Sequence, residues 1–192
     1  EEAIPKLAAL GVRDSKQLTS HARETLAVKI GQVAEACAVE YLSPRQIDDV
    51  VLNGRKLHKL NWLEALTMAK VLNKLKPNIA YVDASDVSEE RFKQQIQEAL
   101  TIKMDIVSKH KADQTYPVVS AASIIAKVER DRAIAELAAK YGDFGSGYPS
   151  DPRTICFLRR LAETTKEYPD FVRKSWKPVQ TAKSRSRQAR LM

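Results

Sequence analysis

The carboxylate with the clearest chemical setting in this sequence is Asp83, which directly follows a short apolar run. Residues 79–82 (Ile-Ala-Tyr-Val) are typical of a buried strand, and the apolar character stops abruptly at Asp83. In an α/β protein, a carboxylate at the carboxyl end of a strand points into the crevice where such folds place their sites. The pattern predicts a functional carboxylate, and the alternative is a cap or turn of the kind expected for Asp86 and Ser88.

A second candidate carboxylate, Asp113, lies in the segment Lys-His-Lys-Ala-Asp at 109–113. It follows one predicted strand and precedes the longest predicted helix, with Lys109 and Lys111 close by. Neighbouring positive charge favours an ionised carboxylate, which is the form that binds magnesium. A surface turn with charges suited to the start of a helix is the alternative.

Two loops carry residue types that contact phosphates or bases. Residues 145–151 (Gly-Ser-Gly-Tyr-Pro-Ser-Asp) combine glycines, which allow a close approach, with Tyr148, whose ring can stack on a sugar or base. The other loop precedes a helix and offers a lysine and a hydroxyl, both of which bind phosphate. Its residues are Arg13, Asp14, Ser15 and Lys16. Either loop is also explained as an ordinary turn.

The positive charge of the chain is concentrated at its C-terminal end. The formal net charge is +8, and residues 173–192 carry seven basic and no acidic side chains, so the preceding part is nearly neutral. A basic tail commonly grips nucleic-acid phosphates. A solubilising, disordered end is the alternative.

Length and composition exclude several classes of protein. With 192 residues, 44% of them hydrophobic, the chain can bury a core. No apolar run approaches the roughly 18–20 residues that span a bilayer. The two cysteines and three scattered histidines do not fit a disulfide scaffold or a zinc site. We therefore expect a cytoplasmic protein that does not associate with membranes.

Helical and strand patterns alternate along the chain, which predicts an α/β layered fold. The longer helices are predicted at 20–36, 57–75, 89–100 and 117–141, and shorter ones begin after Ser43 and Asp151. Strands are predicted at 37–42, 79–82 and 101–107. The first five residues are predicted to belong to a loop. Three strands are few for a chain of this length.

Taken together and in order, these segments resemble those of ribonuclease HII in its archaeal form. The matching segments are 13–16, 81–83 (Tyr-Val-Asp), 109–113, 118–132 (with Val-Val-Ser-Ala-Ala-Ser-Ile-Ile-Ala-Lys-Val and Arg-Asp-Arg) and 145–153. Residues 171–177 also resemble the C-terminal signature of that family. The resemblance covers nearly the whole chain, and five ordered motifs make it specific.

The resemblance implies an RNase H-like mixed sheet flanked by helices. Residues 1–141 would form the catalytic domain, and residues 142–192 a loop, helix and basic tail that contribute to substrate binding. The implied activity is that of a monomeric endonuclease that cuts the RNA strand of RNA/DNA hybrids and ribonucleotides embedded in DNA duplexes. Two Mg²⁺ or Mn²⁺ ions at a cluster of four carboxylates are implied as cofactors.

The resemblance also assigns roles to individual residues. Asp83 matches the carboxylate on the central strand, and Asp113 matches the one before the long helix. Tyr148 resembles the tyrosine that contacts the sugars at an RNA–DNA junction. The other candidates for substrate binding are Arg13, Asp14, Ser15, Lys16, Lys109 and Lys111.

One segment of the family pattern does not occur in this sequence. The first strand of the family carries an Asp-Glu pair, which supplies two of the four carboxylates. A Gly-Arg/Lys-Gly turn follows this pair. We expect that the natural protein has this segment and that the 192 residues are part of a longer chain. The alternatives are a nuclease-inactive module that binds nucleic acid, or a subunit that takes the missing acids from another chain.

Overall fold

The computed structural model describes residues 3–12, 18–53 and 59–191, and helices dominate these ranges. The first helices are α1 (Ala3–Ala9), α2 (Ser20–Val33), α3 (Pro44–Asn53) and α4 (Lys59–Leu75). They are followed by β1 (Ile79–Asp83), α5 (Glu89–Ala99), β2 (Asp105–Lys109) and α6 (Ala112–Thr115). The last helices are α7 (Pro117–Tyr141), α8 (Pro152–Thr164) and α9 (Lys177–Leu191).

The strands β1 and β2 form a parallel, two-stranded sheet within the described residues, joined through α5. Ile79 pairs with Asp105 at one end of the sheet and Asp83 with Lys109 at the other. The α/β class predicted from the sequence is therefore confirmed. Because the strands are parallel, Asp83 and the chain that leaves β2 meet at the same edge.

A hydrophobic core fixes both strands against α4 and α5. It consists of Ala65, Ala69, Ala80, Val82, Phe92, Ile96 and Ile106. Alternate residues of each strand are buried, which is the pattern expected when one face of a sheet packs on helices. The strand that ends at Asp83 is thus held in place by packing against α4 and α5.

The chain divides by its internal contacts into two compact units. The first comprises Glu1–Glu40 and Asn61–Asp131 and contains the sheet, and the second comprises Tyr41–Leu60 and Arg132–Met192. The second unit has a core of its own, formed by Leu158, Ala162, Tyr168, Val172, Val179 and Ala182. The sequence-based boundary after residue 141 differs from this division, and the roles assigned to the two predicted domains stay predictions.

Four of the predicted helix starts have the expected capping residue. In each case the cap oxygen accepts a hydrogen bond from a backbone N–H two or three residues further on, at 2.9–3.2 Å. The caps are Thr19, Ser43, Ser88 and Asp151. Such bonds satisfy amides that have no partner within the helix itself.

Several predicted elements were wrong. Residues 37–42 are not a strand, because no described strand offers them a partner and their side chains are not buried. The first five residues are not a loop throughout, since α1 begins at Ala3 and places Pro5 in its first turn, where a missing N–H costs nothing. The strand predicted at 101–107 lies further along, at Asp105–Lys109. The sequence left the order of the basic tail open, and in the structure its residues Lys177–Leu191 form α9.

No helix within the described ranges has the length and apolar character needed to cross a membrane.

Candidate active site

Asp83 is half-buried at the last position of β1 and makes direct contact with the chain that follows β2. Its Oδ1 accepts a hydrogen bond from the backbone N–H of Ala112 at 3.1 Å. The N–H of Ala84 donates to the carbonyl of Lys109 at 3.0 Å, which extends the pairing of the strands by one residue. These bonds place Asp83 in contact with Ala112, the residue immediately before Asp113.

Asp113 lies in the first turn of α6 and is 7% exposed. The residue before it, Ala112, is fully buried. Just after α6, the ring of Tyr116 packs against that of Tyr81 on β1, with the ring centroids 4.6 Å apart. The segment that carries Asp113 is therefore attached to β1 on both sides of the carboxylate. The structure brings the two sequence-predicted carboxylates to one edge of the sheet.

Lys109 and Lys111 flank this edge with exposed side chains. The Lys109 ammonium pairs with Glu89 Oε2 at 3.0 Å. Lys111 adopts a left-handed backbone conformation with φ of 55°, which is uncommon for a residue with a Cβ. Arg13, Asp14, Ser15 and Lys16 lie outside the described residues.

Glu89, the first residue of α5, was not predicted as part of the site. Its Oε1 accepts a hydrogen bond from the N–H of His110 at 2.8 Å. This bond and the ammonium of Lys109 hold the pKa of Glu89 below its ordinary value. The sequence offered only one signal, an acid in the first turn of a helix, and the helix dipole already explains that position.

Asp86 was treated as a turn residue, but it is 1% exposed and anchors the loop between β1 and α5. Its carboxylate accepts hydrogen bonds from the Arg91 guanidinium, from the Asn61 amide at 3.1 Å and from the Ser88 N–H at 2.9 Å. The Arg91 guanidinium, against the opposing effect of burial, holds the pKa of Asp86 far below its ordinary value. The loop that follows Asp83 is therefore fixed by a buried charge.

Replacing Asp86 with Asn is expected to destabilise the fold by about 2–3 kcal/mol at neutral pH, because the hydrogen bonds of a buried charge are weakened. Because the pKa of Asp86 is lower in the folded protein than in the unfolded chain, the carboxylate contributes its full stabilisation above about pH 4. Below that pH the unfolded chain takes up a proton at Asp86 more readily than the folded protein does, so the free energy of unfolding falls as acid is added. Urea unfolding between pH 3 and 7 measures both effects. Parallel stability curves for the wild type and Asp86→Asn would contradict the assignment.

The loop that carries Tyr148 belongs to the second unit and is held by its own side chains. Asp151 accepts hydrogen bonds from the N–H groups of Ser146 and Arg153, at 2.8 and 2.9 Å. Together these bonds lower the pKa of Asp151. Tyr148 is 48% exposed. The loop therefore presents an aromatic ring to solvent from a fixed backbone.

The second unit also has a cleft of about 460 Å³ between α8 and α9. Three basic side chains line it, Arg159, Lys177 and Arg185, and its lining includes no acidic residue. Trp176 and Pro149 contribute part of its apolar lining. A cleft of this composition attracts anionic groups.

Asp83 and Asp113 match the donor chemistry of a magnesium or manganese site, because both cations prefer hard carboxylate oxygens. Within the ranges that the structure describes, no group of three or more His, Cys, Asp or Glu side chains is arranged to hold a metal ion. The two aspartates correspond to two of the four carboxylates that the resemblance implies, and their role as ligands stays a prediction.

Comparison with known proteins gives a consistent result. The family model for Ribonuclease HII matches residues 1–179. Ribonuclease HII of Thermococcus kodakarensis is 48% identical over 181 residues, which cover 93% of this chain and 77% of that protein. Ribonuclease HII of Pyrococcus abyssi is 44% identical over 193 residues, covering 100% of this chain and 84% of that protein.

Solved structures agree with the sequence matches. Ribonuclease H2 from Pyrococcus horikoshii OT3 superposes with a TM-score of 0.86 at 41% identity, covering 96% of this chain and 86% of that one. RNase HII from Archaeoglobus fulgidus, solved in a complex with PCNA, gives a TM-score of 0.82 at 41% identity, with coverages of 93% and 83%. Bst-RNase HIII, solved with Mn²⁺, shares the fold with a TM-score of 0.77 at 22% identity.

These matches confirm the archaeal-type resemblance and the RNase H-like fold. The chain belongs to the ribonuclease HII family, the type 2 RNase H endonucleases that act on RNA/DNA hybrids.

Proposed function

We propose that this protein hydrolyses the RNA strand of RNA/DNA hybrids and also cuts at single ribonucleotides embedded in DNA, using divalent cations bound by Asp83 and Asp113. The observation that carries the proposal is the hydrogen bond of 3.1 Å from the N–H of Ala112 to Asp83 Oδ1, which brings one carboxylate to the residue next to the other. Membership of the ribonuclease HII family supplies the class of reaction.

The residues at this edge are suited to holding two cations. Asp83 is fixed by β1 and by the N–H of Ala112, so its second oxygen is available in a defined direction. Asp113 is largely buried, which limits the orientations open to its side chain. Bound Mg²⁺ or Mn²⁺ would supply charge neutralisation of the scissile phosphate and an acidified water. We assign Asp83 to both cations and Asp113 to the second.

Each of the two units, taken by itself, contributes candidate residues for substrate binding in this proposal. Tyr148 contacts the sugars at the junction, as the family resemblance implies, and its exposed ring on a fixed loop supports that role. Lys109 and Lys111 provide positive charge beside the carboxylates. Lys177, Lys183 and Arg185 on α9 add phosphate contacts, so affinity for the hybrid should fall steeply with salt. Specificity would come from the 2′-hydroxyl beside the cut.

A cleavage assay on the complete protein tests the proposal. The substrates are an RNA/DNA hybrid and a DNA duplex with one embedded ribonucleotide, each incubated with Mg²⁺, with Mn²⁺ and with EDTA. We expect metal-dependent cleavage of both, with the duplex cut on the 5′ side of the ribonucleotide. Binding of the duplex without cleavage would favour the alternative of an inactive binding module. A protein that neither binds nor cleaves the duplex would favour the alternative of a partner subunit.

The tyrosine loop provides a prediction of its own, through Gly145. This glycine has φ of +76°, and an added Cβ would lie against the carboxylate of Asp151, 2.8 Å from its carboxyl carbon. Because Asp151 holds the loop closed, Gly145→Ala should displace Tyr148. We expect the Kd for an RNA/DNA hybrid to rise by about tenfold, which corresponds to about 1.4 kcal/mol.

Gly142→Ala is the matched control for this substitution. Gly142 also has a positive φ, of +88°, but an added Cβ would meet nothing within 4 Å. Both variants therefore carry the backbone penalty, and only Gly145→Ala carries the clash. Fluorescence anisotropy with a labelled hybrid measures both affinities. Equal losses in the two variants would remove the loop from substrate binding.

A monomeric state and a cytoplasmic location, both expected from the sequence, stay predictions for this protein.

A further inference from the structure

We propose that Glu89 is a positioning residue, which holds the turn between β2 and α6 and thereby sets Asp113 against Asp83. The inference rests on the proposed function, because the site that it concerns is the proposed cation site. It deepens that proposal by assigning a role to a side chain on α5 that need not touch either the cation or the nucleic acid.

The Glu89 carboxylate joins two segments that are far apart in the sequence. Oε1 accepts a hydrogen bond from the N–H of His110 at 2.8 Å, and Oε2 pairs with the Lys109 ammonium at 3.0 Å. A ring nitrogen of His110 lies 3.3 Å from the carbonyl oxygen of Val87. The loop before α5 and the turn after β2 are therefore connected by three contacts, two of which are made by the Glu89 carboxylate.

The turn that Glu89 holds has an unfavourable backbone conformation at its middle. Lys111 has φ of 55° and ψ of 36°, in the left-handed region that a residue with a Cβ avoids. Glu89 binds the N–H of His110 immediately before it, and Asp83 binds the N–H of Ala112 immediately after it. A residue in this conformation persists only when its surroundings hold it there. Asp113 lies two residues after Lys111, so its position depends on this turn.

Glu89 can hold the turn because its own helix is fixed. Ser88 caps the N-terminus of α5, and Phe92 and Ile96 are fully buried in the core beneath the sheet. The buried carboxylate of Asp86 pairs with Arg91 in the first turn of the same helix. The backbone at Glu89 is therefore held in place by its helix, and the Glu89 carboxylate holds the turn through its hydrogen bond to the N–H of His110.

A positional role and an electrostatic role predict different outcomes for Glu89→Gln. Glutamine retains an oxygen that can accept the hydrogen bond from His110, but it carries no charge. Glu89→Ala removes both. Glu90→Ala is the matched control, because Glu90 is exposed and is also in the first turn of α5, where an acid favours the helix by the same dipole effect.

Hydrogen exchange at the His110 amide tests the contact without any metal or substrate. In the complete protein we expect exchange to be at least tenfold faster in Glu89→Ala than in the wild type. Glu89→Gln and Glu90→Ala should stay within threefold of the wild type. Unchanged exchange in Glu89→Ala would overturn the inference, whether or not the protein is a nuclease.

Binding of Mn²⁺, followed by electron paramagnetic resonance without nucleic acid, tests the consequence for the site. We expect Glu89→Ala to bind Mn²⁺ about tenfold more weakly, and the other two variants to bind it within threefold of the wild type. In cleavage assays at saturating hybrid, the Mg²⁺ concentration for half-maximal rate should rise by a similar factor.

Equal Mn²⁺ affinities of Glu89→Ala and Glu90→Ala would overturn the inference, and so would a loss in Glu89→Gln as large as that in Glu89→Ala. A wild-type protein that neither binds Mn²⁺ nor cleaves would refute the proposed function instead, while hydrogen exchange would still decide whether Glu89 holds the turn.

Discussion

Substitution of Asp83 by Asn is expected to lower kcat for cleavage of an RNA/DNA hybrid by about a thousandfold, because a cation that stabilises the transition state by about 4 kcal/mol would lose a charged ligand. The amide oxygen of Asn can still accept the hydrogen bond from Ala112, so the turn should keep its position. Hybrid affinity should stay within threefold of the wild type. Single-turnover cleavage and anisotropy measure the two quantities separately.

Asp105 provides the matched control for this substitution. It is an exposed aspartate at the opposite end of the same sheet, where it pairs with Ile79. Asp105→Asn removes the same charge from the same sheet and should leave kcat within twofold of the wild type. Unchanged cleavage in Asp83→Asn, or an equal loss in both variants, would remove Asp83 from the mechanism.

Substitution of Asp113 by Asn has the second largest expected effect. The proposal assigns Asp113 to one cation and Asp83 to both, so we expect a loss of about a hundredfold in kcat, equivalent to about 2.7 kcal/mol. The Mg²⁺ concentration for half-maximal rate should also rise by at least tenfold, because the charge of one ligand is lost. The measurement is a magnesium titration of the cleavage rate at saturating hybrid.

Folding of Asp113→Asn needs its own check, since Asp113 is largely buried. Circular dichroism and the thermal midpoint report whether the α/β fold persists. In a folded variant, a magnesium titration that matches the wild type would contradict the assignment of Asp113 as a ligand.

The features that could be predicted from the sequence are those set by local chemistry. The end of β1 at Asp83 follows from an apolar run that stops at a carboxylate, and the starts of α5 and α8 follow from Ser88 and Asp151 at their N-caps. The approach of Asp83 to the segment before α7 was implied only by the family resemblance, and in the structure it follows from two parallel strands that share a carboxyl edge.

The features that the sequence could not predict depend on distant partners. Residues 37–42 alternate as a strand does, but a strand also needs a neighbour to bind its backbone groups, and alternation does not supply one. The contacts of Glu89 with residues about 20 positions away were hidden for a similar reason. An acid in the first turn of a helix already has a sufficient local explanation.

The central claim is that Asp83 and Asp113 share a divalent cation, and the position of Mn²⁺ in crystals of the complete protein tests it most directly. Anomalous diffraction above the manganese absorption edge locates the ion independently of the protein atoms. We expect a peak within about 2.5 Å of an oxygen of Asp83 and an oxygen of Asp113. Manganese peaks that contact neither carboxylate, or none that contacts both, would contradict it.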